Sequence, residues 1–168
     1  MELFEAIKNR RSIRKYKEDA VENEKILKVL EVACFAPSAA NRQPYGFVVV
    51  TEKKTIQELS SAAYQEWSAP AMIVVCVNPK EAWIRKDKEE FWKVDAGLIM
   101  QNISLIAHAE GLGTCWICAF DEKKAKTVLG VKKPIRIVAM TPLGYPAEIK
   151  GPVTNRKNID ELVHYEKW

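Results

Sequence analysis

Apolar residues in this chain either recur at helical spacing or gather in short unbroken runs, and the longest helical stretch lies past the middle. From Val94 to Ala109 they fall on nearly every side of the helical turn, so no broad face is left for water. Such a helix is expected to be buried by the rest of the chain or by a second copy of it. Asp95, Gln101, Asn102, Ser104 and His108 interrupt the run, which argues against a membrane span of ~20 mainly apolar residues. Gly111 and Gly113 suit the end of this helix, where a left-handed residue is often needed. Thr114 to Phe120, β-branched and aromatic, reads as the following strand.

The pattern also places the other elements. Glu2 to Asn9 forms an amphipathic helix with Leu3, Phe4 and Ile7 on one side. Asn23 is placed as the cap of a second helix, with Ile26, Leu27, Leu30, Ala33 and Cys34 inside and Pro37 ending it. Pro37 to Pro44 is a constrained loop with a proline at each end. Phe47–Val50 and Ala71–Val77 read as buried strands, with a helix over residues 53 to 66 between them. Asp121 caps a helix through Leu129 that Gly130 stops, Ile135 to Leu143 is a strand, and a polar tail ends in a short helix from Ile159 to Tyr165. Residues 64 to 92, with Trp67, Trp83, Phe91 and Trp92, resist placement.

Strands alternate with helices, so one central sheet flanked by helices is expected, in a single domain over residues 1 to 168. The Gly-rich strand-to-helix turn of doubly wound dinucleotide folds is missing, because Gly111 and Gly113 follow a helix and precede a strand. A chain of 168 residues can bury a substantial core without staples, and 48% apolar and 29% charged residues are ordinary for a globular protein. The net charge of +4 is spread over interleaved lysines and glutamates, a solvated surface more than a nucleic-acid footprint, although an anionic small ligand fits it. With no apolar signal core at its start, the protein is expected to be cytoplasmic, and Cys34, Cys76, Cys115 and Cys118 to be reduced thiols in apolar surroundings.

Two segments carry candidate chemistry. Arg10, Arg11, Ser12 and Arg14 place three guanidinium groups and a hydroxyl within five residues, a strong donor set for a phosphate. Alternatively, Arg10 and Arg11 only complement the negative end of the first helix. In the loop, Ser38, Asn41 and Gln43 offer polar groups, while Ala39 and Ala40 let a flat ring approach the backbone; a rigid turn without a ligand is the alternative. Cys115 and Cys118, three apart on a strand, point to opposite faces about 10 Å apart, too far for a disulfide. No metal site is expected, since no second cysteine pair or histidine cluster completes one. His108 is read as a hydrogen-bonded core residue. No serine, histidine and carboxylate grouping suggests nucleophilic hydrolysis, so a cofactor is expected to carry any reaction.

Four blocks in order resemble the nitroreductase family of flavin-dependent oxidoreductases. They are Arg-Arg-Ser-Ile-Arg-Lys-Tyr at 10 to 16, Ala-Pro-Ser-Ala-Ala-Asn-Arg-Gln-Pro-Tyr at 36 to 45, Asp95 through Gly-Leu-Gly-Thr-Cys-Trp-Ile at 111 to 117, and Thr-Pro-Leu-Gly-Tyr-Pro at 141 to 146. The resemblance implies an α+β fold, a central mostly antiparallel sheet flanked by helices, in an intertwined homodimer with FMN between the subunits. It implies that Arg10, Ser12 and Arg14, with Arg11 nearby and Arg156 from the tail, hold the FMN phosphate and ribityl chain. Pro37, Ser38, Ala39, Asn41 and Gln43 would line the ring, from the other subunit. The backbone of Trp116, Ile117, Cys118 and Ala119 would pass the ring, with an amide near Cys118 or Ala119 facing N5, and Gly144 would approach the cofactor. The activity implied is ping-pong hydride transfer from NADH or NADPH through flavin N5 to a small-molecule acceptor such as a nitroaromatic or a quinone. Relatives that reduce activated double bonds, dehalogenate aromatics or degrade flavin keep a second chemistry open, and a non-catalytic FMN-binding protein is a third reading.

Overall fold

The computed structural model describes residues 1–168 and builds three layers around a four-stranded antiparallel sheet of order β1-β2-β4-β3. The strands are β1 (Tyr45–Val50), β2 (Ala71–Val77), β3 (Gly113–Thr114) and β4 (Arg136–Gly144). The helices are α1 (Leu3–Asn9), α2 (Asn23–Ala33), α3 (Lys53–Ala62), α4 (Trp92–Ala109) and α5 (Glu122–Leu129). Every residue of β2 is buried, because both faces of this central strand are covered. Ala71, Ile73, Val75 and Val77 enter a core with Ile26, Val29, Leu30 and Ala33 of α2 and Ile99, Met100, Ile103 and Ala107 of α4. Met72, Val74 and Cys76 enter the opposite core with Ile56, Leu59 and Ala62 of α3 and Ala125 of α5. Val138 is an extra residue on β4: Val75 faces Ala139 while Cys76 faces Ile137.

Local signals set both ends of α5 and the end of α4. Asp121 accepts the Lys124 amide at 3.0 Å as the cap of α5, and Gly130, at φ 66°, ends it in the left-handed region. Gly111, at φ 77°, follows α4 in the same way, whereas Gly113 lies in β3.

Other expectations are corrected. Of the strand expected over Thr114 to Phe120, only Thr114 lies in β3, and Ile117 adds one bridge to Met140. The ladder stops because the Cys115 amide donates to Thr141 Oγ1 at 3.1 Å. All four cysteines are free; Cys76 and Cys115 are buried, whereas Cys34 and Cys118 are exposed. Helix α2 starts at Asn23, so Glu22 takes the cap position, but its carboxylate is engaged by the Tyr145 hydroxyl at 2.6 Å. Its inner face holds Val29, whereas Leu27 and Cys34 are exposed. Helix α3 stops at Ala62, and the terminal helix shortens to one 3₁₀ turn at Ile159–Glu161.

The sharpest difference is on α1. Leu3, Phe4 and Ile7, its expected inner face, are 63%, 73% and 50% exposed, and only Ala6 is buried. Helix α4 likewise leaves a stripe open: Val94 and Leu98 are 50% and 39% exposed, Gln101 is exposed, and Leu105 is half-buried one turn further on. No helix is long and apolar enough to cross a membrane.

Candidate functional site

The chain after α1 is held as an extended strip beside β3. Ser12 bridges Thr114 in parallel, and the Ile13 amide donates to the Thr114 carbonyl at 2.9 Å. Ile13 packs so tightly on Gly113 that a β-carbon there would lie 2.8 Å from Ile13 Cβ. On its other side the strip meets residues 145 to 151. Lys17 donates to the Tyr145 carbonyl at 2.8 Å, and Ala147 to the Lys15 carbonyl at 2.9 Å. Glu148 Oε1 accepts the amides of Arg14 at 2.7 Å and Lys15 at 3.3 Å, and pairs with Lys150 Nζ at 2.9 Å. The Arg14 amide first, then the Lys150 ammonium, hold the Glu148 carboxyl at about 2. Lys150 Nζ also donates to the Ser12 carbonyl at 2.9 Å, and the Arg11 guanidinium donates to the Gly151 carbonyl.

This strip gathers cations. Burial and then the nearby Arg156 charge lower the pKa of Arg10, with Arg11 adding to the repulsion. No carboxylate forms an ion pair with Arg10, Arg11, Arg14 or Arg156. Glu148, whose carboxylate meets the strip, is spent on amides and on Lys150. His108, in the last turn of α4, is kept below its ordinary pKa by burial first and then by Arg10. Contrary to the reading of His108 as a hydrogen-bonded core residue, its Nε2 is buried with no partner. Neighbouring guanidiniums without an acidic partner, as at Arg10, Arg11 and Arg156, suit a multiply charged anion.

The proline-bracketed loop sits at the other end of α4. Asp95, 1% exposed in the first turn, accepts the Ala39 amide on Oδ1 at 2.8 Å. Ser38 Oγ accepts the Gln43 amide at 3.0 Å, and Gln43 Nε2 donates to both the Asn41 carbonyl and Asn41 Oδ1 at 3.2 Å. Ala40, Asn41 and Gln43 adopt φ of 51°, 53° and 48°, three strained left-handed residues in four. Pro44 is tied to the sheet end by the Asn78 amide at 2.7 Å. Pro37, Asn41 and Gln43 are exposed, while Ser38 and Ala39 are half-buried.

The segment after β3 passes α4 at Gly97. Ile117 exchanges both backbone bonds with Met140, so it is fixed to the sheet. The amides of Trp116, Cys118 and Ala119 donate to no protein acceptor, and these three residues are exposed. The Trp116 indole lies over Gly97 of α4, 3.9 Å from where a β-carbon would stand. Gly144 is buried, and the approach it makes in the protomer is to Pro70 and Tyr16, at 2.6 and 3.1 Å from an added β-carbon. Trp67 and Trp92 belong to the two cores. Trp83 and Phe91 stack edge to face at 5.2 Å in a small hairpin closed by an Ile84–Glu90 bridge, with Arg85 over the Phe91 ring.

The sequence profile of the nitroreductase family matches residues 7–72 and 63–145. The chain belongs to the nitroreductase family. A curated relative, a putative NADH dehydrogenase/NAD(P)H nitroreductase from Archaeoglobus fulgidus, is 34% identical over 99% of both chains. Among solved structures, a nitroreductase family protein from Clostridium difficile 630 superposes with a TM-score of 0.92 at 31% identity over the whole of both chains. An FMN-dependent nitroreductase from Clostridium difficile R20291 superposes with a TM-score of 0.85 at 30% identity over 98% of this chain and 99% of that one.

Within this nitroreductase-family protomer the sequence-derived residues form two groups, not one. Arg10, Arg11 and Arg156 gather by the C-terminal end of α4, with Ser12 and Arg14 further along the same strip, while the loop from Pro37 to Gln43 docks at its N-terminal end through Ala39. Asp95 and His108 mark those ends, and thirteen helical steps separate them by roughly 20 Å. Two supporting residues escaped the sequence reading. A single acid in the first turn of an otherwise apolar helix was the signal for Asp95; Glu148 had none, because its partners are amides 133 and 134 residues away.

Proposed function

We propose that this chain is an FMN-dependent oxidoreductase that draws on NADH or NADPH and passes reducing equivalents to a small-molecule acceptor of the nitroaromatic or quinone type, as a homodimer. The observation that carries the reading is the set of guanidiniums at Arg10, Arg11, Arg14 and Arg156, which lack any acidic partner. This donor set fits a phosphate monoester: it offers planar forks, it repels itself when empty of counter-charge, and Ser12 adds a hydroxyl. When bound, FMN supplies the hydride chemistry.

The protein binds and orients. Arg10, Arg14 and Arg156 hold the phosphate end, with Arg11 anchoring the tail through Gly151. The free amides at Cys118 and Ala119 present fixed donors to the ring's edge. Ser38, Asn41 and Gln43 present polar groups from a loop whose strained backbone is already set. A cofactor with its phosphate at one end of α4 takes that loop from a second subunit whose α4 runs antiparallel. Such a pairing also covers Val94, Leu98 and Leu105, along with Leu3, Phe4 and Ile7.

The test is the absorbance spectrum of the purified protein, as isolated and after adding FMN, then with NADPH in the absence of oxygen. Flavin bands that bleach with NADPH and return with a quinone are expected. A protein that stays colourless with excess FMN overturns the reading.

A further inference from the structure

Asp95 does more than fill a helix turn. Its carboxylate is 1% exposed, with Oδ1 on the Ala39 amide at 2.8 Å and Oδ2 buried without a partner. Burying a carboxylate for a single hydrogen bond is costly, and the N-terminal end of α4 offsets only part of that cost. The bond falls where it matters most. Ala39 immediately precedes Ala40 and Asn41, both left-handed, and Gln43 adds a third such residue. Within the loop, the remaining bonds join its residues to one another: Ser38 to Gln43, and Gln43 to Asn41. They hold its shape but not its placement. Pro44 fixes its far end through Asn78. Asp95 is therefore the side chain that ties the near end to the protein's longest helix.

We propose that Asp95 is a positioning residue: by clamping the Ala39 amide it sets the orientation in which Ser38, Asn41 and Gln43 face a bound flavin ring. This rests on the FMN reading above. The Asp95 side chain acts through the loop and does not itself touch the cofactor.

The bond can be removed from either side. Asp95→Ala deletes the acceptor. Ala39→Pro deletes the donor while leaving the carboxylate in place, and proline suits the first position of a helical turn that follows an extended residue such as Ser38, at ψ 155°. Each single variant is expected to weaken FMN binding by roughly tenfold or more, the scale of losing a hydrogen bond to a charged group. Each should also change the visible circular dichroism of whatever flavin still binds, since a misplaced loop alters the ring's surroundings. The double variant should be no worse than the weaker single one. Asp95→Asn keeps an acceptor oxygen and is expected to restore both affinity and spectrum.

If Asp95→Ala does not fold, Ala39→Pro decides alone. FMN affinity and dichroism in Ala39→Pro that match the unaltered protein overturn the proposal and leave the FMN reading standing. Fully additive losses in the double variant overturn it as well. Failure of the unaltered protein to bind FMN removes both.

Discussion

Glu148 Oε1 accepts the Arg14 amide at 2.7 Å, joining the basic strip after α1 to the chain that follows β4. The contact puts one carboxylate in charge of where a cluster of cations sits. Because its own charge is consumed by amides and Lys150, it can position the arginines without neutralising them.

The first prediction concerns acid. The Glu148 carboxyl is held at about 2, below its ordinary range, so its contribution to stability is complete above the unfolded pKa. That contribution disappears as pH falls through about 2. Glu148→Gln should therefore lower the thermal midpoint at neutral pH, and the gap to the unaltered protein should close below about pH 4.5. A gap that stays constant down to pH 2 contradicts the assignment.

Arg10→Ala separates stability from binding. Arg10 is half-buried and repelled by Arg156 and Arg11, so its removal should leave the flavin-free protein as stable or more so. FMN affinity should fall by about 2 kcal/mol, and Arg14→Ala should cost a similar amount. Isothermal titration together with a melting curve checks both; unchanged flavin retention removes the strip from the site.

Gly113→Ala should damage the same site by sterics alone. The added carbon would meet Ile13 at 2.8 Å, and Ile13 is buried with its amide bonded to Thr114. A loss of about 1 to 3 kcal/mol in stability is expected, with weaker FMN binding because Ser12 and Arg14 flank the displaced residue. Urea denaturation and flavin titration measure the two effects.

Cys118→Ser should be nearly silent, within about 0.5 kcal/mol in stability and with normal flavin affinity, because the thiol is exposed and the proposed contact is the amide. Cys118→Pro, which lacks that amide, should weaken FMN or shift its reduction potential. Equal behaviour of the two variants would place the flavin elsewhere.

Leu98→Asp introduces charge in the middle of the open stripe of α4. Sedimentation should then give a monomer, and flavin should be lost in the same step. A monomeric variant that keeps FMN would show that one subunit suffices.

Much of this architecture could be read from residue order. The all-round apolar pattern found α4, Asp121 and Gly130 bounded α5, and the two runs of aliphatic residues found β1 and β2. What failed did so for physical reasons. Thr114 to Phe120 has strand composition, but a side-chain hydroxyl at Thr141 takes the Cys115 amide and ends the ladder. Leu3, Phe4 and Ile7 form a real amphipathic face, yet periodicity cannot say whether the covering surface belongs to the same molecule. The basic strip and the proline loop were visible as motifs. Their placement at opposite ends of one helix was not, because it depends on contacts such as Asp95 with Ala39 and Ile13 with Thr114, 56 and about 100 residues apart.

β2 carries a risk of its own. Both its faces are greasy, so sliding it by one residue against β1 or β4 would exchange Ala71, Ile73, Val75 and Val77 for Met72, Val74 and Cys76 without exposing a single polar group. Hydrophobicity therefore cannot proofread the alignment of this sheet. That task falls to differences in side-chain size and to the irregularity at Val138, which lets the strands mesh at one offset. Substitutions that even out those volumes should trap the folding chain in misaligned forms, even when the final structure could accommodate them.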